Sequence, residues 1–167
     1  NSEQAKKLYD IAIDLAELQA KDIVYDLYTG TGTIALYAAK DCRSVVGIEQ
    51  IPEAIDDAKE NKRLNGIENC TFLVGDVRHT LDPTFWHMHG RPDVVFTDPP
   101  RAGMHRDVVD SLLRLASDRI VYISCNPSTQ ARDIALLKEK YNLVRCRPVD
   151  MFPHTNHIEN VALLQLR

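Results

Sequence analysis

The sequence contains no CxxC pair. Its four cysteines, Cys42, Cys70, Cys125 and Cys146, are scattered widely over 167 residues. That spacing argues against a zinc site, and no metal is expected. Free thiols in a cytoplasmic protein are the simpler reading. No stretch approaches the ~20 apolar residues that a membrane helix needs, and no secretory signal is visible. Internal repeats and low-complexity tracts are absent. So are the GxGxxG fingerprint of dinucleotide sites and the GxxxxGK[ST] phosphate cradle. A large charge excess is missing too: the net charge is −4, which does not advertise a polyanionic partner. The chain starts at Asn1 rather than at a methionine, as expected of a fragment or a processed chain.

Hydrophobic residues make up 44 % of the chain and charged residues 26 %. These proportions and the length suit one soluble domain with a full core, expected to be monomeric. The charge is unevenly divided. Residues 1–90 hold nine Lys/Arg and fifteen Asp/Glu, a net of −6, while residues 91–167 hold eleven and nine, a net of +2. Nucleic acid at the second half is allowed, although charge alone is a weak argument for it.

Apolar positions at Leu8, Ile11, Ala12, Leu15 and Leu18 predict a helix over 3–18. Short β-rich runs predict strands at 23–25, 45–48 (ending at Glu49), 70–74, 93–97 and 119–124. Helices are expected at 33–40, 52–64, 106–116 and 128–139. Pro52 suits a first helical turn, and Asn65-Gly66 a helix stop. Residues 143–149 and 158–166 then read as two strands with no helix between them. The pattern is βα repeated five times and closed by a hairpin. It predicts a Rossmann-like α/β fold, a seven-stranded mostly parallel sheet with one antiparallel strand at or near an edge.

In open α/β sheets, ligands bind beyond the carboxyl ends of the strands. Asp26-Leu27-Tyr28-Thr29-Gly30-Thr31-Gly32 lies at such an end, and its glycines let the backbone turn tightly against a ligand. Glu49 ends the second strand, where a carboxylate can accept both hydroxyls of a ribose. Asp76, after the third, can accept from an adenine amino group. Each acid alone is as readily a solvated strand-end charge or a helix cap. Three in register, without a phosphate site, point to a nucleoside carrying a cationic sulfonium, S-adenosylmethionine.

Two further strand ends carry chemistry. Asp98-Pro99-Pro100-Arg101 follows the fourth strand, and its carboxylate and proline carbonyls can face a planar base. Ser124-Cys125-Asn126-Pro127 follows the fifth. A thiolate at Cys125 can add to carbon 6 of a pyrimidine and make carbon 5 nucleophilic, given a lowered pKa or a nearby base. His105, His154 and His157 are candidates for closeness in space. Glu159 opens the last strand, where a carboxylate can remove the carbon 5 proton after methylation.

Taken together, these segments resemble the RNA (uracil-5)-methyltransferases, which form 5-methyluridine in tRNA and 23S ribosomal RNA. The matching pieces are Asn1-Ser2-x-Gln4-Ala5, Asp26-Leu27-Tyr28-x-Gly30-x-Gly32, Gly47-Ile48-Glu49, Asp98-Pro99-Pro100-Arg101-Ala102-Gly103, Ser124-Cys125-Asn126-Pro127-x-Thr129-x-Ala131-Arg132-Asp133 and Asp150-Met151-Phe152-Pro153-x-Thr155-x-His157-Ile158-Glu159. The resemblance implies that Cys125 is the nucleophile, Glu159 the base, and Asp98 an active-site acid that also borders the cofactor. It places S-adenosylmethionine against Asp26, Tyr28, Gly30 and Glu49; the strand-end reading adds Gly32 and Asp76 to the cofactor set, and Pro99, Arg101 and Arg132 are expected to meet the RNA. It also implies that residues 1–167 are the catalytic domain alone, without the family's N-terminal RNA-binding domains and a Gln-bearing segment that would precede Asn1.

Two other readings stay open on the residues. An amino-methyltransferase of purine bases uses a DPP loop followed by an aromatic residue, where this chain has Arg101. A non-enzymatic S-adenosylmethionine-binding module that scaffolds RNA would not need Cys125 and Glu159.

Overall fold

The computed structural model describes residues 2–152 and 154–167. The chain opens with helix α1 (Ser2–Ala16) and then alternates: β1 (Ile23–Leu27), α2 (Thr33–Ala38, closed by a 3₁₀ turn at Ala39–Asp41), β2 (Ser44–Glu49), α3 (Pro52–Leu64), β3 (Cys70–Val74), α4 (Val77–Thr80), α5 (Pro83–His89), β4 (Val94–Thr97), α6 (Arg106–Leu115), β5 (Arg119–Ser124), α7 (Pro127–Leu137), β6 (Tyr141–Asp150) and β7 (Ile158–Leu166). The strands form one sheet in the order β3-β2-β1-β4-β5-β7-β6. Strands β1 to β5 pair in parallel. β7 is antiparallel to both of its neighbours, so the expected antiparallel strand is one step in from the edge.

The parallel strands are apolar on both faces because both faces are covered. In β1, Val24 joins one core with Ala12, Ile34, Ile55 and Phe96. The next residue, Tyr25, joins the opposite core with Leu112, Ile134 and Leu137. Helix α1 lies over β5 and β7 on the first face. The strand order reverses between β1 and β4, which opens the crevice where such folds bind ligands.

The structure differs from the sequence reading mainly in the β3–β4 crossover, where the residue pattern predicts no element. Two short helices fill it. Asp76 caps α4 by accepting from the Arg78 amide, and Asp82 caps α5 by accepting from the Phe85 amide ahead of Pro83. Smaller differences fall at element ends. α2 stops at Ala38, and β6 starts two residues early because Tyr141 pairs with Leu166.

Candidate active site

The carboxyl ends of β1, β2, β4 and β5 and the start of β7 meet at one rim of the sheet. Thr29, just past β1, donates its amide to the Ile48 carbonyl at 3.0 Å, closing the first loop onto β2. Tyr28 is held in the left-handed region at φ 59°. Gly32 lies at φ +84°, and a Cβ there would fall 2.7 Å from the Phe72 ring. The loop therefore keeps its backbone bare and close to β2 and β3.

Asp26 is 1 % exposed. Its Oδ2 accepts from the Thr29 hydroxyl at 2.6 Å. Its Oδ1 is buried and has no hydrogen-bond partner among the described residues. Burial pushes the carboxyl up to about 7 against the hydrogen bond from Thr29, and the charge of Glu49 adds to the rise. A buried carboxylate with one oxygen unsatisfied is costly. A cation or N–H donor arriving in the crevice relieves that cost.

Glu49 is half-buried at the end of β2, and its Oε2 accepts from the Gln50 amide at 3.0 Å. Asp76 is already engaged: besides capping α4, it holds the Arg78 guanidinium at 2.9 Å. That hydrogen bond keeps its carboxyl below the usual range. The helix-cap role open to this acid from the sequence is present in the fold.

Across the switch point, Asp98 follows β4 and is half-buried, with Pro99 buried behind it. Burial pushes its carboxyl up to about 7, and the charges of Glu159 and Asp26 push the same way. Burial also raises Glu159. Tyr9 of α1 feels the same acids: burial raises its phenol first, followed by Asp98, Glu159 and Asp26. The charges of three carboxylates from β1, β4 and β7 thus reach one another at this rim, and reach Tyr9.

Cys125 is exposed just past β5. In the β5–β7 ladder the last pair is Ser124 with Asn160. One step beyond it stand Cys125 on one strand and Glu159 on the other. Antiparallel pairing of a strand end with a strand start is what brings a thiol and a carboxylate to the same rim. Gln130, 2 % exposed, holds this end together. Its amide donates to the carbonyls of Tyr122 at 3.0 Å and Asn160 at 3.2 Å, and its oxygen accepts from the Asn160 side chain at 2.6 Å. Among the described residues no hydrogen bond joins the Cys125 thiol to a base. His105 instead caps α6 and faces Asp107 at 3.4 Å, and His157 packs edge-on to Phe152.

The family model for tRNA (Uracil-5-)-methyltransferase matches residues 89–167, and a methyltransferase-domain model matches residues 24–114. The chain belongs to the methyltransferase-domain family, and its second half matches the tRNA (uracil-5)-methyltransferases. It is 59 % identical to an uncharacterized RNA methyltransferase of Bacteroides thetaiotaomicron, over all of this chain and 37 % of that protein. Identity is also 59 % to one of Porphyromonas gingivalis, over 98 % of this chain and 36 % of that protein. Among solved structures, the Pyrococcus abyssi tRNA (uracil-54, C5)-methyltransferase in complex with S-adenosyl-L-homocysteine superposes with a TM-score of 0.83 at 37 % identity, covering 98 % of this chain and 38 % of that one. The chain therefore spans well under half the length of these relatives.

Of the residues singled out in the sequence, the structure gathers Asp26, Tyr28, Glu49, Asp98, Cys125 and Glu159 at one rim. Arg101 is exposed there, and its side chain makes no hydrogen bond or ion pair among the described residues. Arg132 keeps its side chain half exposed and pairs with the buried Asp133 at 3.0 Å. Asn1 and Pro153 lie outside the described residues. Sequence reasoning missed Tyr9, Thr29 and Gln130 and assigned no role to Asp133. Only the last left a usable signal, its helical spacing from Asn126 and Thr129. Among the described residues no cluster of His, Cys, Asp or Glu is placed to hold a metal, and no helix is long and apolar enough to cross a membrane.

Proposed function

We propose that residues 1–167 form the catalytic domain of an S-adenosylmethionine-dependent enzyme that methylates carbon 5 of a uridine in structured RNA, tRNA or ribosomal RNA. The carrying observation is the meeting of Cys125 and Glu159 just beyond the Ser124–Asn160 pair, beside Asp98 at the end of β4. A thiol and a base with raised proton affinity on one rim are what addition and elimination at a pyrimidine require.

The crevice fits the cofactor. The unpartnered Oδ1 of Asp26 suits a positively charged sulfonium or ammonium group, and the bare backbone at Gly30 and Gly32 leaves room for close approach. Tyr28 and Glu49 border the same loop, with Glu49 placed to accept ribose hydroxyls. When bound, S-adenosylmethionine supplies an electrophilic methyl group.

The chain's own residues do the rest. The Cys125 thiolate forms a C–S bond at carbon 6 of the uracil, and the electron pair of the 5,6 double bond moves to carbon 5 and its adjoining carbonyl. Carbon 5 takes the methyl group. The Glu159 carboxylate then removes the carbon 5 proton, the double bond re-forms and the C–S bond to Cys125 breaks. Asp98, held near neutrality by burial and by its acidic neighbours, can donate or accept a proton at the base edge without large cost. Pro99 and Arg101 shape the wall that the base meets.

The test is covalent trapping. With RNA carrying 5-fluorouridine, carbon 5 has no proton to lose and the adduct cannot resolve. The full-length protein with S-adenosylmethionine should give a denaturation-resistant RNA complex, mapped to Cys125 by peptide mass spectrometry. A complex mapped to another residue, or none in an active preparation, contradicts the assignment.

A further inference from the structure

Helix α7 does more than follow Cys125. It presents Asn126, Thr129, Arg132 and Asp133 to the loop that leaves β4. The Asn126 amide and the Thr129 hydroxyl both donate to the Arg101 carbonyl, at 3.2 and 3.0 Å. Arg132 Nη2 donates to the Ala102 carbonyl at 2.8 Å. The Met104 amide donates to Asp133 Oδ2 at 2.9 Å. Between these held residues lies Gly103, at φ +82°. A Cβ there would fall 2.5 Å from Arg132 Nη2 and 2.8 Å from Asp133 Oδ2. The loop backbone is pressed directly onto the helix.

Asp133 is the centre of this grip. It is 1 % exposed. Its Oδ2 also accepts from the Tyr122 hydroxyl on β5 at 2.7 Å, and its Oδ1 accepts from Arg132 Nε at 3.1 Å and Nη2 at 3.0 Å. Burying a carboxylate this deeply gains little stability over apolar packing of the same volume. What it supplies is direction: each oxygen fixes the angle between the loop, the helix and β5.

We propose that Asp133, with Arg132 as its partner, is a positioning residue that seats the Asp98–Met104 loop on the helix beginning beside Cys125. This rests on the reading of Cys125 as the nucleophile. The loop carries the wall for the base, and α7 carries the thiol's mount. Locking one to the other sets how far the thiol lies from carbon 6. Arg132, expected from the sequence to contact substrate, is thereby assigned to the protein instead of the RNA.

The test uses the full-length protein and four variants: Asp133→Asn, Arg132→Gln, Gly103→Ala and Cys125→Ala. Asp133→Asn keeps an oxygen for Met104 and Tyr122 but turns an amino group on Arg132. Gly103→Ala pushes the loop off α7 while leaving the Asp133 side chain itself unaltered, so it answers even if Asp133 variants fail to fold. Positioning predicts that kcat falls about a hundredfold in Asp133→Asn and Gly103→Ala, the scale of an ångström's misplacement. KM for RNA and S-adenosylmethionine affinity should stay near wild type. Arg132→Gln should lower kcat and leave the salt dependence of RNA binding unchanged. If instead Arg132→Gln raises KM and reduces the salt slope by about one, Arg132 is a phosphate contact and the assignment is overturned. Wild-type kcat in Gly103→Ala overturns it equally. Should Cys125→Ala remain active, the reading of the nucleophile fails and takes the positioning role with it. If Cys125→Ala is dead while Asp133→Asn and Gly103→Ala turn over normally, only the positioning role fails.

Discussion

At the scale of single residues, the site is defined by carboxylates whose burial, full for Asp26 and partial for Asp98, opposes their ionisation. Asp26 and Asp98 both titrate near 7 because burial opposes their charge. The sign of the consequence is fixed. A carboxyl whose folded pKa lies above its unfolded value stabilises the fold in its neutral form. That contribution is complete below about pH 4 and is lost as pH rises through about 7. Asp26→Asn keeps an oxygen for Thr29 and cannot ionise. It should therefore match the wild type in urea unfolding at about pH 4 and exceed it at about pH 8 by on the order of 2–4 kcal/mol. Cofactor affinity should move the opposite way. The wild type should bind S-adenosylmethionine more tightly as pH rises through about 7, as the charges of Asp26 and Asp98 appear, and Asp26→Asn should flatten that rise. Calorimetry across pH checks it. An unchanged profile in the variant means that Asp26 does not face the cation.

At the scale of elements, the strands were the most legible part of the chain. β3, β5, β7 and α3 have the bounds their residue patterns predict. Short apolar runs rich in β-branched and aromatic residues, such as residues 120–123, read as strands buried on both faces, and Pro52 and Asn65-Gly66 mark the ends of α3. The β3–β4 crossover was not legible because α4 and α5 are too short to show a helical period; their caps, Asp76 and Asp82-Pro83, were the only signals. The strand-end positions of Asp26, Asp98, Cys125 and Glu159 could be read, since each follows or opens an apolar run. The grip of α7 on residues 101–104 could not, because it exists only once β4 and β5 lie side by side. The glycine turn after β1 offers a test at this scale. Gly30 and Gly32 both have positive φ, but a Cβ at Gly30 meets open space while one at Gly32 strikes the Phe72 ring at 2.7 Å. Gly30→Ala should cost roughly 1 kcal/mol, the left-handed penalty alone, and Gly32→Ala roughly 3 kcal/mol or more. Equal losses in urea unfolding would show that Phe72 yields freely and that the turn is not packed against β3.

At the scale of the whole molecule, the sheet joins two functions that the charge already separates. The acidic first half builds a crevice for a cation from β1, β2 and their loops. The mildly basic second half brings the DPPR loop, the SCNP turn and the β6–β7 return to the same rim. The antiparallel closing hairpin is what makes the chemistry available. A parallel last strand would begin at the opposite end of the sheet and leave Glu159 far from Cys125. The central claim is that these two residues act in sequence on one uridine, the thiol adding and the carboxylate releasing. The direct measurement is made with the full-length protein, S-adenosylmethionine and ordinary, unfluorinated RNA, analysed on a denaturing gel and by mass spectrometry. Glu159→Gln keeps the shape but removes the base, so methylated RNA should remain bound to Cys125 as a denaturation-resistant complex. The variant in which Cys125→Ala is added should show no complex. Release of free 5-methyluridine RNA by Glu159→Gln at the wild-type rate would contradict the account, since the proton would then be leaving carbon 5 by another route.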